Sequence, residues 1–177
     1  QSIFTSTFFI LLLIIVVLIV IYAFSSFEKG DLKNYQEKSD YNFVNLSKGL
    51  TAYKDYGNKN DPAIIIIHGA TLPSEGYVGF CEGLSLKGYR VICYDQYGRG
   101  YSDRPVSDYN MEFYLDQLNE LLGYLEIKKS ILHGSSMGAP IAISYANKYP
   151  NQVSAIGLQV PLVNLSLIHI WRCRRAL

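Results

Sequence analysis

The chain has 177 residues, a net charge of +1, 49% hydrophobic and 18% charged residues, and three cysteines. That size and balance allow at most one soluble domain and exclude a disordered chain or a basic nucleic-acid-binding stripe. The charged fraction lies below the usual quarter, and the apolar excess is concentrated at the start, so the segments differ in character.

No charged residue precedes Glu28, and residues 8–24 (FFILLLIIVVLIVIYAF) are unbroken apolar or aromatic sequence. Counted from Ile3 the run is 22 residues, on the order of 30 Å as a helix, the depth of a bilayer core. A buried core helix would show a polar face, which this run lacks. A signal peptide has a shorter apolar stretch and a basic start, although residues 23–25 (AFS) offer small-x-small cleavage chemistry. The sequence therefore predicts a single-pass transmembrane anchor over 1–27, which makes the membrane both partner and location. Residues 28–40 (EKGDLKNYQEKSD) carry four acids and three lysines, a solvated stalk that leaves the orientation open.

At the other end, residues 165–177 (LSLIHIWRCRRAL) hold the single Trp, three of the six Arg and no Lys, after a chain rich in Lys, Asn, Tyr and Ile. The string resembles the conceptual translation of a transposon-end sequencing adapter with the codon TGA read as Trp. The alternative is a short basic tail for acidic partners. On the first reading the native chain is cut off at about Asn164 and His169 and Cys173 take no part in a site. The remainder then carries a net −2, thirteen basic against fifteen acidic residues. Of the other cysteines, Cys93 sits in an apolar strand pattern as a small core residue. Cys81 has no metal-type spacing to His or Cys, so neither a disulfide framework nor a metal site is indicated.

Between 41 and 164, β-prone runs at 41–45 and 50–56 flank the turn 47–49 (SKG) and predict a pair of strands. Residues 63–67 after Pro62 form a continuous apolar run, the mark of a strand buried on both faces. The stretches 89–94 (YRVICY), 130–133 and 153–158 read as further strands. Met111, Leu115, Leu118, Leu121, Leu122 and Leu125 recur at spacings of three and four, predicting a helix, and 139–148 is a second helix rich in small residues. Strands alternating with helices imply a parallel sheet covered on both sides.

The chemistry-bearing residues lie at the strand ends. Gly134-Ser135-Ser136-Met137-Gly138 follows a strand and opens a helix, the strand–turn–helix context that makes G-x-S-x-G a nucleophile elbow. A tight turn strains Ser136 and the glycines remove side chains that would clash, so Ser136 projects as the nucleophile. The N–H of Met137 is then one oxyanion donor and the N–H of Ala70, in His68-Gly69-Ala70, the second. Each is worth about 2.7–4 kcal/mol in the transition state. A plain Gly/Ser-rich helix cap is the alternative for Ser135 and Ser136. His68 and His133 read as structural: His68 braces its loop, and His133 points away from Ser136. In the loop 95–105 (DQYGRGYSDRP), Asp95 and Arg99 are expected to tie the turn together without a role in bond breaking. Gly98-x-Gly100 lacks the third glycine and helix of a dinucleotide site.

Taken in order, His68-Gly69, the 95–105 loop and 134–138 resemble the α/β-hydrolase superfamily, in the branch of monoacylglycerol lipases, carboxylesterases and proline iminopeptidases. The resemblance covers about residues 41–163. It implies an α/β fold with an eight-stranded, mostly parallel sheet, of which this chain supplies the first six strands, and a cap inserted after the sixth. It also implies a triad in the order Ser, Asp or Glu, His. Only 161–164 remain between the last strand and the tail, so the triad acid, its His, the cap and two strands are expected to be missing, leaving 1–177 inactive with an apolar sheet edge. The implied activity of the intact enzyme is serine-dependent hydrolysis of carboxylic esters through an acyl-enzyme, with no cofactor or metal. A Ser nucleophile separates it from epoxide hydrolases and haloalkane dehalogenases. An anchor beside an acyl hydrolase favours lipid-like esters, a monoacylglycerol or lysophospholipid. The alternatives are a proline iminopeptidase-like aminopeptidase and a non-catalytic, membrane-tethered binding protein of the same fold.

Overall fold

A computed structural model describes residues 2–26 and 32–160, and the chain divides into two units, Gln1–Lys38 and Ser39–Leu177. The first holds α1 (Ser2–Ser26) and α2 (Leu32–Lys38). The side chains of residues 9–23 are all exposed. Among the described residues no helix is long and apolar enough to cross a membrane, so the transmembrane helix expected over 1–27 is not supported. Within the expected stalk, α2 is helical, with Gln36 buried and Lys33, Asn34, Tyr35, Glu37 and Lys38 exposed.

The second unit is built on six strands: β1 (Asn42–Leu46), β2 (Gly49–Tyr56), β3 (Ala63–Ile67), β4 (Arg90–Tyr94), β5 (Ser130–Ser135) and β6 (Val153–Gln159). Their spatial order is β1-β2-β4-β3-β5-β6. The β1–β2 and β2–β4 pairs are antiparallel, and β4–β3, β3–β5 and β5–β6 are parallel. All six expected strands are present with ends shifted by a few residues, the largest change being the extension of β5 to Ser135.

Alternation along β3 separates two cores, because successive strand side chains point to opposite faces. Ile65 and Ile67 pack with Ile92, Tyr94 and Leu132 against α4 (Met111–Tyr124) and α5 (Gly138–Lys148), through Leu115, Leu118, Leu121, Leu122, Ile141 and Tyr145. On the other face Ile64 and Ile66 pack with Val91 and Cys93 against Cys81 of α3 (Val78–Ser85). The periodic leucines of α4 are thus its buried face, and its first turn is closed by Asn110, whose side chain accepts from Phe113 N–H at 3.0 Å. The buried guanidinium of Arg90 is forked by Asp55 at 2.8 and 3.1 Å and also reaches the Leu125 carbonyl at 3.2 Å, which satisfies the charge. The free edge of β6 has no strand partner among the described residues, and Ile156 and Leu158 are 37% and 43% exposed.

Candidate active site

β5 ends at Ser135 and α5 starts at Gly138, and between them Ser136 adopts a left-handed conformation with φ +49°. A non-glycine residue there costs roughly 1–2 kcal/mol, so the surroundings must hold it. Its N–H donates to the Gln159 carbonyl at 3.0 Å, and its carbonyl accepts from Ala139 N–H at 3.1 Å. Two glycines allow the close approach. A Cβ on Gly134 would stand 2.6 Å from the Gly138 carbonyl oxygen and 2.7 Å from Ala139 Cα, and one on Gly138 would strike the Ile67 carbonyl. Neither serine side chain makes a capping bond to the first turn of α5 among the described residues.

Ser136 is half-buried. Across from it lies Gly69, where a Cβ would come within 3.2 Å of Ser136 Cβ and 3.8 Å of its Oγ. The loop after β3 therefore runs directly beside the serine. Ala70 follows, exposed, and Met137 is half-buried. Neither N–H meets an acceptor among the described residues.

His68 is fully buried, and its ring is committed elsewhere. Gln96 N–H donates to Nε2 at 3.0 Å, so Nδ1 carries the hydrogen and donates to the Gly69 carbonyl at 2.6 Å. Burial holds its pKa below the ordinary histidine value, while the Gly69 hydrogen bond and Asp95 pull the other way. The ring is neutral and braces the loop, as expected. His133 places Nε2 3.3 Å from Gln159 Oε1, and its ring lies tilted at 50° to that of Phe80 of α3, 5.2 Å between centroids. No histidine or carboxylate hydrogen-bonds to Ser136 Oγ among the described residues.

Asp95 is the hub of the loop after β4. Its Oδ1 accepts from Ser74 N–H at 2.8 Å and its Oδ2 from Tyr101 N–H at 2.9 Å. Its carbonyl accepts from Ser102 Oγ at 2.6 Å and Gln117 Nε2 at 3.1 Å. Ser102 and Asp103 carry the loop along β2. Ala52 N–H donates to Ser102 Oγ at 2.9 Å, Leu50 N–H to Asp103 Oδ2 at 2.8 Å, and Asp103 N–H to the Leu50 carbonyl at 2.9 Å. Arg99 joins the turn through its backbone alone, to Gln96 and Ser102. Its side chain is exposed and makes no hydrogen bond or ion pair among the described residues. A guanidinium gains little by leaving water for a loop whose carboxylate is already saturated by N–H donors. Gln96, Gln117, Ser102 and Ser74 are participants that sequence reasoning passed over; a signal was available for Gln96 alone, the second of two polar residues that follow the apolar strand β4. Among the described residues no group of three His, Cys, Asp or Glu is placed to hold a metal.

A left-handed serine at a strand–helix turn, beside a glycine loop at the end of a neighbouring parallel strand, is the site architecture of one large fold family. Residues 62–176 match the model of the α/β hydrolase fold, and the chain belongs to that family. It is 32% identical over 128 residues to Lipase 1 of Psychrobacter immobilis, covering 70% of this chain and 40% of that protein. It is also 32% identical over 123 residues to a proline iminopeptidase of Lactobacillus helveticus, covering 66% and 42%. Among solved structures, a carboxylesterase of the thaumarchaeon Nitrososphaera gargenis is similar with a TM-score of 0.64 at 28% identity, over 66% of this chain and 44% of that one. The chain spans less than half the length of the curated relatives it matches, from 28% to 42%.

Proposed function

We propose that this chain is the nucleophile-bearing part of a serine hydrolase of carboxylic esters. The left-handed Ser136 beside Gly69 is the observation that carries the reading. Ser136 Oγ attacks the acyl carbonyl carbon as its proton passes to a histidine. The N–H groups of Ala70 and Met137 stabilise the oxyanion, the alcohol departs, and water hydrolyses the acyl-enzyme. The acid and the histidine of the triad lie outside the described residues, since His68 and His133 are held by Gln96 and Gln159. The chemistry needs no metal or cofactor. Similarity to a lipase and the apolar run 8–24 favour lipid-like esters, a monoacylglycerol or lysophospholipid, as substrates. Equal identity to a proline iminopeptidase supports a second reading, an aminopeptidase releasing N-terminal residues.

The test uses the full-length product of the gene. A fluorophosphonate probe labels Ser136 and a long-chain p-nitrophenyl ester is hydrolysed, Ser136→Ala abolishes both, and residues 1–177 alone give no turnover. Turnover of a proline p-nitroanilide instead of the ester selects the aminopeptidase. Neither label nor turnover leaves a non-catalytic binding protein.

A further inference from the structure

We infer that Gln96 is a positioning residue for the oxyanion loop: its amide fixes the backbone that presents the Ala70 N–H to Ser136. The inference rests on the proposed ester-hydrolase reading and deepens it. The loop that leaves β3 is gripped at both ends by two consecutive residues at the end of β4. At its start, Gln96 holds His68 twice, through its own N–H to Nε2 at 3.0 Å and through side-chain Nε2 to the His68 carbonyl at 2.7 Å. At its far end, Asp95 Oδ1 takes the Ser74 N–H at 2.8 Å. Gln96, His68 and Asp95 are all fully buried, so none of these bonds competes with water. Between the two grips lie Gly69, facing Ser136, and Ala70.

The orientation of the Gln96 amide is fixed by its partner. A carbonyl accepts only from a donor, so Nε2 must face His68 and Oε1 must face away. Oε1 is buried there with no hydrogen-bond partner among the described residues. An unmet buried acceptor is unfavourable and calls for an explanation. A methionine or leucine would fill the same space without one. What glutamine adds is the Nε2 donor to the His68 carbonyl, one residue before Gly69 and two before Ala70. Asp95 is a less specific candidate for this role, because it also anchors Tyr101 and so organises its own loop.

An oxyanion donor works only when aimed at the atom where charge develops, and a misplacement of about 1 Å costs on the order of a hundredfold in rate. The experiment compares a p-nitrophenyl ester with its thionoester on the full-length product of the gene. Sulfur is larger and a weaker acceptor than oxygen, so the ester-to-thionoester ratio of kcat reports the N–H contacts to the oxyanion. Gln96→Met is expected to lower kcat for the ester by about tenfold to a hundredfold with KM within about twofold, and to lower the ratio by about tenfold. Gln96→Asn keeps an amide but withdraws it by one methylene, and should lower the ratio in the same direction if the methionine variant fails to fold. A purely structural role would depress both substrates equally, so an unchanged ratio in a folded variant overturns the inference alone. Absence of Ser136-dependent turnover in the wild type overturns the hydrolase reading and the inference together.

Discussion

β3 and β6 lie on either side of β5, both parallel to it, yet every residue of β3 is buried and no residue of β6 is. Their sequences, AIIII and VSAIGLQ, differ less than their environments do. β3 has β4 and β5 as neighbours and helices on both faces, whereas β6 has one strand partner. Burial is thus a property of position in the sheet, and apolar composition only permits it. At their C-terminal ends the two strands nevertheless act on the same turn. The Ile67 and His68 carbonyls press against Gly138 from one side, and the Gln159 carbonyl holds the Ser136 N–H from the other. The elbow is suspended between a wholly buried strand and the most exposed one.

Substitutions can break or sharpen this contrast. Ile65 is fully buried between the sheet and the α4–α5 layer, so Ile65→Ala should cost ~2–5 kcal/mol in urea unfolding; a loss near zero would mean that the layer is not packed as described. Gly138→Ala drives a Cβ into the Ile67 carbonyl, and the overpacking should cost ~1–3 kcal/mol. A neutral result would show that the elbow can shift away from β3. A smaller effect comes from pH. His68 has a depressed pKa because it is buried, so the unfolded chain binds more protons than the folded one once the pH drops below the ordinary value of 6.5. Its stabilising contribution is therefore complete above that pH and is lost as the pH falls toward the folded value. The His68 ring resonances should titrate below the ordinary histidine value, and a titration centred at that value would contradict the Gln96 contact. Least affected is β6: Ile156 is 37% exposed, and Ile156→Ala should cost less than ~1 kcal/mol. A loss matching that of Ile65→Ala would mean that something covers β6 in solution.

The parts of the fold legible in the sequence were those decided by local pattern. The unbroken AIIII run announced β3, the three-and-four spacing of leucines announced α4, and Gly134-x-Ser136-x-Gly138 placed the elbow at a strand–helix junction. α3 was not foreseen, because Gly79 and Gly83 fall inside it and lower its helical propensity; it is held by Cys81 against β3 and β4. The order in which β4 sits between β2 and β3 was not legible, since no periodicity encodes which strands are neighbours. Within the site, Ser136 was legible because its strain needs flanking glycines. Gln96 was not, because its partner His68 is 28 residues away in sequence. Arg99 ties the loop through its backbone while its side chain stays exposed, so the charge that stands out in the sequence is not what serves the turn.

Bonds from Ser102 and Asp103 stitch the 95–105 loop to β2, and this gives a segment without regular secondary structure the mechanical character of a strand. The amides of Leu50, Ala52, Tyr101 and Asp103 each donate to an acceptor in the loop or across it. None of these bonds can open alone while the others hold both segments in place. Hairpin and loop therefore form one cooperative opening unit, and their amide protons should exchange with solvent at a shared, slow rate instead of the rapid rates of a surface turn.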